Sequence, residues 1–175
     1  MDIGRMMEYT AQYREALECH EKCLAMRQSI YGEQNHSSIA NSYHNIGSVY
    51  DSQGQYKQAL ENYEKSLAMD QALYGNVDHP DIAISYHKIG SVYQSQGQYK
   101  QAWGNYEKSL AMKQAVYGNL DHPSIANSYL SIGIMYKSQG QYKQALENYE
   151  KSLAMYQAVY GDVDHPDIAN CYNSI

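Results

Sequence analysis

Downstream of His79-Pro80-Asp81, the residues Ile82, Ala83, Tyr86, Ile89, Gly90 and Tyr93 fall mostly three or four places apart, with polar residues between them. That is the spacing of one face of an α-helix. Asp78 or His79 suits the N-cap, and Pro80 suits the first turn. Ser95-Gln96-Gly97 breaks the run. A second run starts near Gln98 and places Tyr99, Ala102, Trp103, Tyr106, Ser109 and Leu110 along one side. It continues through Val116-Tyr117 to Gly118, a residue type that commonly ends helices. No strand-like alternation interrupts these runs, so the chain reads as all-α and the unit as a pair of helices.

The pair recurs every 43 residues. Gln-Gly-Gln-Tyr-Lys-Gln-Ala stands at Gln53–Ala59, Gln96–Ala102 and Gln139–Ala145, and His79-Pro80, His122-Pro123 and His165-Pro166 keep the same spacing. A fixed period of this size marks a stacked repeat array. The spacing divides a single array, 1–175, into a partial repeat 1–35, repeats 36–78, 79–121 and 122–164, and a partial repeat 165–175. Ile3-Gly4 falls where Ile46-Gly47 falls, so the N-terminus is expected to enter partway through a first helix. Ile175 takes the place of Ile132, so the C-terminus is expected to leave partway through another. Repeat arrays normally end in polar caps. Neither end carries one, which implies a piece of a longer array and self-association through uncapped ends.

The residues Tyr43-x2-Ile46-Gly47-x2-Tyr50-x8-Ala59-x3-Tyr63, repeated at Tyr86, Ile89, Gly90, Tyr93, Ala102 and Tyr106 and again at Tyr129, Ile132, Gly133, Tyr136, Ala145 and Tyr149, resemble the tetratricopeptide repeat. Gly and Ala allow two helices to approach, while the aromatic and aliphatic residues fill the space between them. The usual repeat has about 34 residues. Here the second helix runs about two turns further, to Gly75, Gly118 or Gly161. That long form, with Asp-His-Pro-Asp-Ile-Ala opening the unit, is similar to the repeats of kinesin light chains and nephrocystin-3. The resemblance covers essentially the whole chain. It implies an α-solenoid, a right-handed superhelix of helix-turn-helix repeats whose first helices line a concave groove.

Comparing the copies separates two halves of the first helix. Ile39, Ala40, Tyr43, Ile46, Gly47 and Tyr50 return unchanged in the next two repeats. The changing positions are Asn41/Ile84/Asn127/Asn170, His44/His87/Leu130/Asn173, Asn45/Lys88/Ser131/Ser174, Ser48/Ser91/Ile134, Val49/Val92/Met135 and Asp51/Gln94/Lys137. At about 100° per residue they fall on the opposite half. By the resemblance this is the groove wall, so all of them except the Val49 set, Asn173 and Ser174 are taken as candidate peptide-binding residues. Drift after duplication would also diversify exposed positions. Against uniform drift, Lys57-Gln58, Glu64-Lys65 and Gln71 on the outer face of the second helix return in both later copies. Asparagine amides can donate to and accept from an extended peptide backbone. Kinesin light chains hold cargo peptides through groove asparagines, and the position two before the glycine that this implies is Asn45, then Lys88 and Ser131. Asp70/Lys113/Tyr156, with Arg27 in the first repeat, also varies, although by angle it lies near the packed side of the second helix.

Composition narrows the function. The formal net charge is −6 and no repeat is a basic block, against the basic footprint of nucleic-acid binders. No run approaches the about 18 apolar residues of a membrane span, and Met1-Asp2-Ile3-Gly4-Arg5 does not open a secretory signal. Three cysteines make no disulfide framework, which points to the cytoplasm. The 20 tyrosines and absence of phenylalanine fit a thin core whose aromatic hydroxyls reach its wet edge. One His per repeat (His36, His79, His122, His165) suits helix capping better than metal binding. Cys19-x3-Cys23 lacks a second pair at zinc spacing, with Cys23 in the place of the packed Ser66. Without a phosphate loop or nucleophile elbow, no catalytic residue, metal or cofactor is expected. Trp103-Gly104 replaces Leu60-Glu61, the indole filling the contact between repeats. The reading is a non-enzymatic interaction scaffold that binds partner peptides in the groove, in its most specific form a kinesin-light-chain-like cargo adaptor. The other reading is the sensor array of a larger signalling protein such as a nucleotide-dependent switch ATPase.

Overall fold

A computed structural model describes residues 3–32, 34–75, 77–118, 120–161 and 163–174, with side chains from residue 11 onward. Ile175, where the chain is expected to leave a first helix, lies outside them. Among the described residues there are eight helices and no strand: α1 (Ile3–Tyr31), α2 (Ser37–Ser52), α3 (Tyr56–Tyr74), α4 (Pro80–Ser95), α5 (Tyr99–Tyr117), α6 (Pro123–Ser138), α7 (Tyr142–Tyr160) and α8 (Pro166–Ser174). They form two compact units, Met1–Val77 and Asp78–Ile175. In the first, α1 packs on α2, which pairs with α3. In the second, the hairpins α4–α5 and α6–α7 pack in series, with α8 against α7 and α4 touching α6.

The histidine, not the residue before it, opens each of the four later first helices. His36, His79, His122 and His165 accept the backbone N–H of Ser38, Asp81, Ser124 and Asp167 at 3.1–3.2 Å through Nδ1. The ring also stacks on the tyrosine that ends the preceding helix, as Tyr31 on His36, Tyr117 on His122 and Tyr160 on His165, each with 3.6 Å between centroids. The shared five-residue spacing was visible in the sequence, but nothing in it marked the two rings as partners.

Two kinds of glycine set the hairpin. Gly54 takes φ +70° in the turn between α2 and α3, a left-handed conformation costly for any residue with a Cβ. Ala11 stands at the same place in the first repeat. There the helix does not turn: α1 runs unbroken for 29 residues, where a turn would have separated a first helix from a second. Gly90 serves close approach instead, since a Cβ there would lie 2.9 Å from the Tyr106 ring. Tyr106 is 2 % exposed and Ala102 fully buried. Ser109 on α5 ties the hairpin by donating to the Ala83 carbonyl of α4 at 2.7 Å. Tyr50, Tyr93 and Tyr136 are half-buried, as a thin core requires.

Candidate functional site

The first helices carry the divergent residues, and none of the predicted groove residues is buried. Asn41, Asn45, Ile84, Asn127, Ile134, Lys137 and Asn170 are exposed, while His44, Ser48, Asp51, His87, Lys88, Ser91, Gln94, Leu130 and Ser131 are half-buried. One variable position belongs to the other half: Val92 and Met135 are almost fully buried, so their exchange is a change of core volume rather than of groove surface. The helical angle put that position with the variable half, and packing buries it.

Within the second unit the variable residues of neighbouring first helices meet. His87 Nε2 on α4 lies 3.3 Å from Ser131 Oγ on α6, and Lys137 Nζ donates to the Ser174 carbonyl of α8 at 3.1 Å. Some predicted residues are committed to the hairpin itself. Gln94 accepts from the Tyr106 hydroxyl at 2.7 Å. His44 covers the Tyr63 ring and His87 the Tyr106 ring, with centroids 5.3 and 5.2 Å apart. Burial, with the Asp51 carboxylate nearby, raises the Tyr63 hydroxyl to about 12.

A cleft of about 380 Å³ opens in the second unit. Ile84, His87 and Lys88 line it from α4, Pro123, Ser124 and Asn127 from α6, and Lys113, Tyr156 and Asp167 from α5, α7 and α8. Ile84, His87, Lys88 and Asn127 were predicted from the sequence; the rest were missed as groove residues. The signal for Lys113 and Tyr156 was their variation, but not their depth. Lys113 is 4 % exposed and Tyr156 2 %. Lys113 Nζ donates to Ser128 Oγ at 2.7 Å and to the Ser124 carbonyl at 3.2 Å. Arg27, at the same repeat position in the first unit, makes the equivalent bonds to Ser42 Oγ (2.6 Å) and the Ser38 carbonyl (2.7 Å). Tyr156 occupies the position where Cys171 replaces that serine, and it packs in an apolar cluster with Ala126, Ile168 and Cys171. The position is therefore an internal contact to the next first helix, and its polarity follows the residue it meets.

Electrostatics in this cleft follow from burial. The His87 imidazole is pushed down to about 3 by burial first and by Lys113 and Lys88 second, so it is neutral at physiological pH; its Nδ1 is buried without a hydrogen-bond partner. Burial lowers the Lys113 ammonium to about 8 and raises the Tyr156 hydroxyl. The cleft thus presents Lys88, a partly deprotonated amine, the Asp167 carboxylate at the α8 side and neutral donors and acceptors. In the first unit a cleft of about 420 Å³ between α1 and α2 is lined by His20, Asn45 and Ser48 among others, with no lysine, arginine or carboxylate.

The outer face also yields a correction. Lys65, Lys108 and Lys151 lie over the rings of Tyr43, Tyr86 and Tyr129 at 5.2–5.6 Å. Gln114 donates to the Tyr129 hydroxyl at 3.2 Å. Their return in every copy therefore has a packing cause and does not by itself argue against drift in the groove. Cys23 is exposed on α1, unlike the buried Ser66 it replaces, and Cys19 is exposed beside it. The Trp103 ring lies 5.6 Å from Tyr136 on the next first helix, within the contact assigned to it, yet stays 36 % exposed.

A family model for the tetratricopeptide repeat matches residues 1–72, 40–115, 81–158 and 124–175. Among curated proteins, none matches the chain in sequence. Among solved structures it is similar to a candidate kinesin light chain of Podosopora anserina with nearly identical TPR-like repeats, at 29 % identity and a TM-score of 0.70 over 97 % of this chain and 82 % of that one. A single-substitution variant of that protein aligns at 28 % identity and a TM-score of 0.71, with the same coverage. BtubC (BKLC) of P. vanneervenii aligns over 95 % of this chain with a TM-score of 0.81 at 21 % identity, a likeness of fold. The chain spans 65 % of the BtubC chain's length. With helical hairpins of tetratricopeptide form in both units and family matches that together span its length, the chain belongs to the tetratricopeptide repeat family.

Proposed function

We propose that this chain is a non-enzymatic interaction scaffold whose first helices hold partner peptides, and that its most specific form is a kinesin-light-chain-like cargo adaptor in the cytoplasm. In the second unit the binding strip is Ile84, His87, Lys88, Ser91, Asn127, Leu130, Ser131, Ile134, Lys137 and Asn170, with Gln94 at its edge. In the first unit it is Asn41, His44, Asn45, Ser48 and Asp51. The observation that carries the reading is the contact of divergent residues across neighbouring first helices, His87 with Ser131 and Lys137 with Ser174, beside an open cleft. Exposed amides at Asn41, Asn45, Asn127 and Asn170 supply donors and acceptors for a peptide backbone. The kinesin-light-chain form rests on the likeness to the Podosopora anserina protein.

Selection of peptides from a random library on the purified chain tests this directly. Paired substitutions Lys88→Ala/Asn127→Ala and Asn41→Ala/Asn45→Ala are then compared with Lys57→Ala/Lys100→Ala on the outer face. The expected outcome is a loss of roughly tenfold or more in affinity from at least one groove pair, equivalent to about 1.4 kcal/mol, with no change from the outer pair. Equal losses from groove and outer variants would place the site elsewhere.

A further inference from the structure

Ten lysines are present, and Lys113 is the one that is buried; Lys88 is half-buried and the others are exposed. Lys113 is nevertheless among the residues that line an open cleft. We propose that Lys113 is a carbonyl-capturing amine: the cleft of the second unit admits a small aldehyde bearing an anionic group, and Lys113 binds it as a Schiff base.

The hydrogen bonding favours an uncharged nitrogen. Lys113 Nζ has two protein acceptors, Ser128 Oγ and the Ser124 carbonyl. An ammonium has three N–H donors and would need a third acceptor from water in the cleft. A neutral amine has two, which these acceptors satisfy, and its lone pair is the part not committed to the protein. No carboxylate compensates a charge there. Asp167, which lines the same cleft, receives the Tyr160 hydroxyl at 3.5 Å and has Oδ2 3.6 Å from His165 Nδ1 on its own helix. The other titratable groups facing the cleft are His87 and Lys88 of α4 and Tyr156 of α7; α6 contributes only Ser124, Ser128 and Asn127. Lys88 disfavours a second positive charge nearby and offers one to an anionic tail. Burial brings the amine to about 8.

The step balances without an oxidant or reductant. After the ammonium gives its extra proton to water, the nitrogen lone pair attacks the carbonyl carbon and the carbonyl oxygen gains a proton. The resulting carbinolamine loses that oxygen as water, the second nitrogen proton leaves, and a C=N bond remains. Hydrolysis reverses it.

Pyridoxal 5′-phosphate serves as the probe, with borohydride trapping of the imine and peptide mass spectrometry reading each lysine. The exposed lysines act as internal controls. Near pH 7 a lysine whose amine is lowered to about 8 is far more often neutral than an exposed one, and restricted access removes part of that advantage, so Lys113 should label at least tenfold faster than Lys57, Lys100 or Lys143. Its rate should half-rise near pH 8, well below the exposed lysines. Lys113→Arg should abolish the fast site alone, and Arg27 at the equivalent position shows that the fold accepts arginine there. If that variant does not fold, the wild-type pH profile decides. Labelling of Lys113 no faster than the exposed lysines, or with their pH profile, overturns the proposal. Equal rates with phosphate-free pyridoxal overturn the requirement for an anionic group.

Discussion

Arg27 in the first unit and Lys113 in the second occupy one repeat position and make the same two bonds, each to a serine hydroxyl and a backbone carbonyl of the next first helix. Their surroundings differ. Arg27 is half-exposed, whereas Lys113 is buried and lines a cleft with Lys88 and the neutral His87. Tyr156, one repeat later, fills the position without charge and meets Cys171 in place of the serine. A repeat frame can thus be copied closely while the chemistry at one buried position is rewritten. Arginine and lysine meet the same serine partner, and only at Tyr156 does the partner residue change as well.

The shared frame is the first thing to break. Tyr63→Ala and Tyr106→Ala each remove a buried ring packed against a glycine, and each should cost about 3–5 kcal/mol in denaturant unfolding. A large inequality between them would mean that the two units do not share one packing scheme.

The buried lysine gives the next largest effect. Its folded pKa near 8 lies below the ordinary lysine value, so between the two the unfolded chain holds the extra proton and stability rises with pH. Below about pH 8 the ammonium lowers stability by at most about 3 kcal/mol. Tyr63 acts in the opposite sense: its folded pKa near 12 means that stability falls as pH climbs from 10 to 12. Burial also pushes the Cys171 thiol up from 9.0, which opposes the rise above about pH 9, so the clean window is pH 8 to 9. Lys113→Met should remove the rise there, and Arg27→Met should leave it in place.

His87 provides a smaller, acid-side contrast. Because its folded pKa is depressed to about 3, stability should fall as pH drops from 6.5 towards 3. Allowing for the ring's partial exposure, the loss is about 2 kcal/mol. His87→Leu should flatten it, since Leu130 already holds the same position one repeat later. The smallest effect is expected from the tyrosine-covering lysines. Lys65→Ala and Lys108→Ala should each cost about 0.5–1 kcal/mol and match each other across the units.

Much of this was readable before any coordinates. His79 as a helix start, Gly90 as a close-approach residue and the break at Gln53-Gly54 all follow from local chemistry repeated at fixed spacing. So did the exposure of Asn41, Asn127 and Asn170, because a helical period of 3.6 assigns faces without knowledge of neighbours. Three features did not follow. Val92 falls on the variable half by angle, yet packing buries it. Lys65 sits on an outer face, yet it is constrained by a ring on another helix. Ala11 replaces a turn glycine, and the backbone answers by continuing the helix.

The sequence by itself determined the helices, their ends and the tetratricopeptide hairpin, because capping, turn conformation and periodic burial act within a few residues or across one turn. Only the tertiary structure decided that the variable position at Lys113 is a buried contact, that its two acceptors come from α6, and that Lys88, His87 and Asn127 share a cleft with it. Those facts depend on which helix lies against which, and at what depth. Desolvation, which sets the charge of Lys113 and His87, is a property of that packing and not of the residues' order along the chain.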